Sequence, residues 1–301
     1  MSTLPKILAI LGPTAVGKSD CAVELALYFN GEVISADSRQ VYKGLDIGTG
    51  KITEEEMKGV PHYLLDVVSP KEQFTVADWK KDSLKAINTI TERGRHPIVC
   101  GGTGLYIQSV VDNISFPEVL PNKPLREKLE KKTPDELSRL LSSLDPERAK
   151  MIDHNNPRRL IRAIEIATEM GYVPRITAEP LFGTLQIGLT LPREELKERI
   201  HLRLYKRMNG GLVEEVQRLH KNGLSYARMI ELGLEYRYLA LYLQKEMSRE
   251  EMLGKLETEI YRYAKRQETW FKRDKRIHWF SPSENEEIEK TVMKFLEKGK
   301  R

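Results

Sequence analysis

Cysteine is nearly absent: Cys21 and Cys100 are the only two in 301 residues. Two thiols so far apart frame neither a disulfide-stapled scaffold nor a zinc site, and such usage suits a reducing cytoplasm. Long apolar runs are missing too. None approaches the roughly 20 residues that cross a bilayer, and mean hydropathy is −0.47, so no membrane partner is expected. The N-terminus passes almost at once into a strand-like run, which leaves no room for a signal or transit peptide. Internal repeats and low-complexity tracts are also lacking. Nor does charge of one sign dominate: 49 Lys and Arg against 44 Asp and Glu give a net +5, a bias that permits a polyanionic partner without requiring one.

What the sequence does contain is Gly12-x-x-x-x-Gly17-Lys18-Ser19, the phosphate-binding loop pattern. An apolar run suited to a buried strand, Ile7 to Leu11, precedes it. An amphipathic helix from Lys18 to about Phe29 follows. Glycines let backbone N–H groups curl round an anion, and the helix N-terminus adds partial positive charge. Lys18 is placed to reach the terminal phosphate, and the Ser19 hydroxyl to hold a magnesium ion. The chain handles a diphosphate or a triphosphate.

A second strand reads from Glu32 to Asp37 and ends in Asp37-Ser-Arg-Gln40. Thr75 and Asp78 open a helix that stops at Gly94, and His96 to Cys100 is a third buried strand landing on Gly101-Gly-Thr103-Gly104 and a further helix. Strand and helix in alternation, with ligand-type loops at the strand ends, mean an open parallel α/β sheet. The alternation breaks at Phe116-Pro117, and from Pro121 to about Gly183 only helices are read. Thr133-Pro-Asp-Glu136 caps one of them, and Asn156-Pro157 starts another that ends near Gly171. Leu185 to Leu191 returns to strand. Helices follow at Arg193–Met208, Leu212–Lys221, Tyr226–Lys245 and from Ser248 to about Arg273, then a closing strand at Lys275–Phe280. The expected fold is α/β: a phosphate-loop NTPase-like parallel sheet core with a helical insertion domain and long C-terminal helices. Residues 1–117 and 184–301 make the core, with a mostly helical stretch at 198–254, and residues 118–183 make the insertion.

Asp37 ends the strand expected beside the phosphate loop, so its carboxylate faces whatever the loop holds, as a general base or a magnesium ligand. A turn aspartate is the plain alternative. Arg39 pairs either with phosphate oxygens or with Asp37. Thr103, in the glycine-rich turn, brings a hydroxyl to the same rim. Arg158, Arg159 and Arg162 crowd one insertion helix. On the last long helix Arg262 and Arg266, near Arg273, alternate with Tyr261, Tyr263, Trp270 and Phe271, a mixture that suits single-stranded nucleic acid or a solvated face over core rings.

With these motifs assembled, the chain resembles the tRNA isopentenyltransferase family (the tRNA dimethylallyltransferases) of bacterial type. The likeness rests on Gly12-Pro-Thr-Ala-Val-Gly-Lys-Ser19, Ala36-Asp-Ser-Arg-Gln-Val-Tyr42, Ile47-Gly-Thr49, Gly101-Gly-Thr-Gly-Leu-Tyr106, His154-Asn-Asn-Pro-Arg-Arg159 and Ala264-Lys-Arg-Gln267 with Trp270-Phe271, in the family's order over most of the length. The resemblance implies transfer of a dimethylallyl group from dimethylallyl diphosphate to N6 of the adenosine 3′ of the anticodon in tRNA, by a cytoplasmic, monomeric enzyme. It implies that the loop from Gly12, Pro13, Thr14, Ala15, Val16 and Gly17 to Lys18 and Ser19 holds a diphosphate beside Mg2+, with Asp37, Lys18 and Arg39 catalytic. It sets Asp37, Ser38, Arg39, Gln40, Thr103, Arg126, Arg158, Arg159, Leu160, Ile161, Arg162 and Arg266 against the tRNA anticodon arm. Two departures stand out. The family usually has a second histidine where Tyr63 follows His62, and Ala-Lys-Pro where this chain has Gly50-Lys-Ile52; the latter leaves the roles of Thr49 and Lys51 open. Two other readings fit the motifs alone: a small-molecule kinase with a helical lid, and a non-catalytic RNA-binding protein.

Overall fold

The strand ahead of the phosphate loop, β1 (Lys6–Leu11), reads KILAIL, and five of its six residues are buried. An unbroken apolar run belongs in the middle of a parallel sheet covered on both faces. The chain continues through α1 (Lys18–Tyr28), β2 (Gly31–Ser35), α2 (Glu54–Met57), β3 (His62–Tyr63), α3 (Val76–Glu92), β4 (His96–Gly101) and α4 (Gly104–Val111). Four helices follow, α5 (Lys123–Leu129), α6 (Pro134–Leu144), α7 (Pro146–Met151) and α8 (Pro157–Met170). The sheet resumes with β5 (Gly183–Leu189), and then come α9 (Arg193–Asn209), α10 (Leu212–Lys221), α11 (Tyr226–Leu232), α12 (Leu234–Leu243), α13 (Arg249–Phe271), β6 (Ile277–Phe280) and α14 (Asn285–Glu297). This computed structural model describes residues 4–175 and 177–298.

All six strands run parallel in the order β3-β2-β4-β1-β5-β6. Register aligns the carboxyl ends of three of them: Leu11 of β1 lies beside Gly101 of β4, and Ser35 of β2 beside Cys100. The segments after these strands, beginning at Gly12, Ala36 and Gly102, therefore meet at one rim, where ligands of open α/β sheets bind. Trp79, fully buried on α3, donates its Nε1–H to the Ser35 carbonyl at 2.9 Å and stacks on Tyr106, which fixes the end of β2.

The chain divides into two units, Met1–Asn113 with Pro180–Arg301, and Ile114–Glu179. The second has its own core, with Leu129, Leu137, Leu141, Leu160 and Ile164 at its centre. Capping boxes at Thr133 and Ser248 and the left-handed Gly171 begin and end helices where their residue types dictate.

Besides the short α2 and β3, which the sequence reading did not include, two elements differ from it. The expected helix Tyr226–Lys245 is two helices, because Gly233 (φ 81, ψ −174) and Leu234 (φ 41) leave the helical region. The break exposes the Leu232 carbonyl, which accepts a hydrogen bond from Arg39 Nε at 2.7 Å. Beyond β6 a further helix, α14, buries Ile288, Val292 and Leu296 at four-residue spacing.

Candidate active site

The loop between β1 and α1 takes its shape from three left-handed residues: Gly12 (φ 146), Ala15 (φ 66) and Gly17 (φ 100). Such backbone turns N–H groups inward as an anion nest. Ala15 holds that conformation without glycine's freedom, a strain of about 1–3 kcal/mol of the kind found at functional loops. Lys18 folds back to donate to the Pro13 carbonyl at 2.6 Å. Burial, with a further push from Arg203, brings its ammonium down to about 8 from 10.5, against the raising effects of Cys100 and Asp37.

Asp37 follows β2. Its Oδ1 accepts the N–H groups of Arg39 at 2.8 Å and Gln40 at 3.4 Å, which makes it a turn aspartate. Its Oδ2 accepts no hydrogen bond among the described residues, so one oxygen shapes the turn and the other is available for chemistry. Thr103 supports the same turn: its Oγ1 accepts the Ser38 N–H at 3.0 Å, and the phenol of Tyr263 lies in the same neighbourhood as Asp37. Burial first, and the Asp37 charge second, push that phenol above its ordinary range.

Thr14, Ala15, Gly17, Lys18, Ser19, Asp37 and Gln40 line one cavity of about 380 Å3. Gly12, Pro13 and Val16 are buried behind it. Ser38, Arg39 and Thr103 do not line it. Arg39 donates to the Leu232 and Ser38 carbonyls, which braces the Asp37 turn. Leu160 and Ile161 are core residues at 0% and 7% exposure; their side chains leave the RNA-facing set for the same reason that α8 folds. Phe271, 3% exposed, is likewise core and no stacking platform.

Sequence reasoning missed a cationic stripe. Arg199, Arg203 and Arg207 recur every four residues along α9, and the first two line the cavity. Arg203 is exposed at the cavity mouth; partial desolvation there and the neighbouring Arg207 lower it, and it stays charged at neutral pH. Arg207 donates to the Gly48 carbonyl and pairs with the buried Glu235, both at 3.2 Å. Gly50 (φ 58) lies against the guanidinium ends of Arg203 and Arg207. Thr49 donates to the Leu45 carbonyl, and Lys51 bridges Asp46 and Asp66; both hold the loop together. The same loop is pinned by Glu215, 0% exposed, whose carboxylate accepts the N–H groups of Asp46, Ile47 and Gly48 and the Tyr236 hydroxyl. Four-residue spacing was the available signal for the arginines. Glu215 offered none.

In the second unit Glu165 is buried. Burial alone would raise its carboxyl, but a bidentate pair with Arg126 (2.7 Å each), the Asn122 N–H and Arg162 reverse the direction and lower it. Arg158 and Arg159 are exposed and form no ion pair among the described residues. On α13, Arg262 pairs with Glu259 at 2.6 Å, and Arg266 lies over the Tyr263 ring.

A phosphate loop whose lysine shares a cationic cavity with a strand-end carboxylate defines a phosphate-loop group-transfer enzyme. Comparison with known proteins narrows that class. A family model described as IPP transferase matches residues 40–274, and the chain belongs to this family of transferases. A tRNA dimethylallyltransferase of Anoxybacillus flavithermus is 41% identical over 296 residues, covering 97% of this chain and 95% of that protein. One from Bacillus anthracis is 40% identical over 301 residues, with 97% and 95% covered. Among solved structures, the full-length tRNA isopentenylpyrophosphate transferase of Bacillus halodurans superposes with a TM-score of 0.74 at 39% identity over 97% of each chain. A eukaryotic dimethylallyltransferase acting on tRNA gives 0.74 at 29% identity, covering 88% of this chain and 69% of that one.

Proposed function

We propose that this chain transfers the dimethylallyl group of dimethylallyl diphosphate to N6 of the adenosine 3′ of the anticodon in tRNA, giving N6-isopentenyladenosine and diphosphate. The observation that carries the reading is the single cavity shared by Lys18 and Asp37. The names of the relatives point to the same substrates.

In the reaction the allylic C–O bond breaks and its electron pair goes to the diphosphate, while the N6 lone pair forms the new C–N bond. Negative charge grows on the leaving oxygen, where Lys18, Arg203 and the amides from Ala15 to Ser19 at the start of α1 stabilise it. The N6 proton passes to Asp37 through the oxygen that the turn does not use. An adenine inside a stack cannot reach this cavity, so the base swings out of the anticodon loop to enter it. The exposed Arg158, Arg159 and Arg266 suit RNA phosphates. Arg126 and Arg162 offer RNA only the guanidinium edges that Glu165 and, for Arg162, the Val119 carbonyl leave uncovered. One chain supplies both the donor loop and the base, and tRNA is the substrate, so the proposal includes a cytoplasmic monomer.

The donor set also bears on a metal. Ser19 is exposed at the start of α1, and Asp20 and Asp37 line the same cavity. Among the described residues no group of three His, Cys, Asp or Glu could hold an ion by itself. That fits Mg2+, which takes few protein ligands and completes its shell with phosphate oxygens and water. Ser19 would hold it, and when bound it neutralises part of the diphosphate charge.

The test is one incubation of protein, Mg2+, dimethylallyl diphosphate and unmodified tRNA, followed by nucleoside analysis. N6-isopentenyladenosine is expected without nucleotide turnover. Absence of that product would overturn the transferase reading, and ATP consumed on a small acceptor in a parallel incubation would establish the kinase alternative.

A further inference from the structure

Gln267 of α13 is 5% exposed, and its amide spans two loops. Oε1 accepts the Thr14 N–H of the phosphate loop at 2.8 Å, and Nε2 donates to the Gly102 carbonyl at 2.9 Å. The partners settle the orientation, since one can only donate and the other only accept. The fit leaves no slack. A side-chain carbon at Gly102 would sit 2.1 Å from Nε2. The residue after Gly102, Thr103, donates its N–H to the Ala36 carbonyl at 3.1 Å and accepts the Ser38 N–H on its hydroxyl, next to Asp37. One side chain therefore joins the loop that holds the leaving group to the turn that presents the base.

We propose that Gln267 is a positioning residue that sets the distance between the diphosphate loop and Asp37, and that it acts on the transfer step and not on the binding of either substrate. This rests on the transferase reading above. Binding survives its loss because Lys18, Arg203 and the amides after Thr14 still face the diphosphate, and the exposed arginines still face RNA. Transfer does not survive as well, because the amine, the allylic carbon and the leaving oxygen must lie in line, and a misplacement of about 1 Å costs on the order of 10²-fold. The bridge also engages the Thr14 amide, so the donor is held by the amides that follow it.

Two variants test this. Gln267→Met keeps the volume and removes both hydrogen bonds. Gln267→Glu keeps the acceptor but, when ionised, sets a charge against the Gly102 carbonyl; once protonated, it can donate and accept as glutamine does. Dissociation constants for dimethylallyl diphosphate and for tRNA would be measured separately, with single-turnover rates at saturation and thermal midpoints. The expected result is a rate about 10–10²-fold lower for Gln267→Met, with both dissociation constants within about threefold of wild type. For Gln267→Glu, the rate relative to wild type should rise as pH falls, because burial raises a carboxyl's pKa and protonation restores the bridge. A lowered thermal midpoint with an unchanged single-turnover rate would reduce Gln267 to packing and overturn the proposal. So would a weakened diphosphate affinity at wild-type rate, or a flat pH ratio for the glutamate. A wild type that forms no N6-isopentenyladenosine would overturn the transferase reading and this role with it.

Discussion

Lys18 is a half-buried cation lining the cavity, and the proton on it should report diphosphate binding. Burial holds its ligand-free value near 8; two or more negative charges a few ångströms away must raise it in the complex. Binding then takes up the protons that free Lys18 lacks, about a tenth at pH 7, a half at pH 8 and nine-tenths at pH 9. Affinity should be flat below about pH 7 and approach a tenfold loss per pH unit above about 8, roughly thirtyfold weaker at pH 9.5 than at its plateau. The ligand does not confound this range, since the last proton of a phosphate ester leaves near pH 6. Calorimetry with dimethylallyl diphosphate in buffers of different ionisation enthalpy counts the protons directly. Lys18→Arg should abolish the uptake, because a guanidinium keeps its proton throughout. Stability follows with the opposite sense. The folded state binds fewer protons than the unfolded chain between about pH 8 and 10.5, so Lys18 penalises the empty fold fully below that window and not at all above it. Lys18→Met should therefore stabilise the ligand-free protein at pH 7, by at most about 3 kcal/mol, with the gain vanishing towards pH 10.5. No proton uptake at pH 8 to 9, or the same uptake in Lys18→Arg, would refute the assignment of this lysine to the diphosphate.

Asp37→Asn keeps an oxygen for the Arg39 and Gln40 amides but cannot take a proton, so turnover should fall about 10²–10⁴-fold with tRNA affinity unchanged; a wild-type single-turnover rate would remove the base from this position. Glu215→Gln sets an NH2 against donors that both carboxylate oxygens now accept. It should lower unfolding free energy by about 1–3 kcal/mol in denaturant titrations, and an unchanged midpoint would mean that the loop at Asp46–Gly48 does not depend on it. Arg159→Ala should flatten the dependence of log K for tRNA on log salt by about 0.7–0.9 without loss of stability. Arg126→Ala should destabilise the fold as well, since it strips the bidentate partner from buried Glu165. Equal stability of the two variants would contradict the division between RNA-facing and structural arginines.

What could be read from the chain was what local sequence encodes locally. The phosphate loop, the Asp37 turn and the Gly101–Gly104 turn each compress a backbone shape into a few adjacent residues, and the strand and helix before and after fix their place on the sheet. The four-residue stripe of Arg199, Arg203 and Arg207 looks like any solvated helix face until Gly50 and the cavity are known. Leu160 and Ile161 fall inside a run that begins with the exposed Arg158 and Arg159, and only the 3.6-residue period separates the two roles. A single glycine in a helical pattern costs about 1 kcal/mol and does not by itself predict a break, so the split at Gly233 became visible only with Arg39 on the Leu232 carbonyl.

Glu215, which the sequence did not mark, and Gln267, which it marked only as part of a motif without a role, share a physical cause. Glu215 and Gln267 act on main-chain groups: the amides of Asp46, Ile47 and Gly48 for one, the Thr14 amide and the Gly102 carbonyl for the other. A backbone donor has no residue identity, so no spacing rule announces its partner across more than 150 positions. Yet these contacts tie the loop that carries Lys18 to the Gly102 turn and pin the rim at Asp46–Gly48. Loops rich in glycine gain close approach to an anion and lose rigidity, and stiffness has to come from helices packed against them. In this fold α10 and α13 supply it with one buried polar side chain each. The placement of the reacting groups accordingly depends on residues that touch neither substrate.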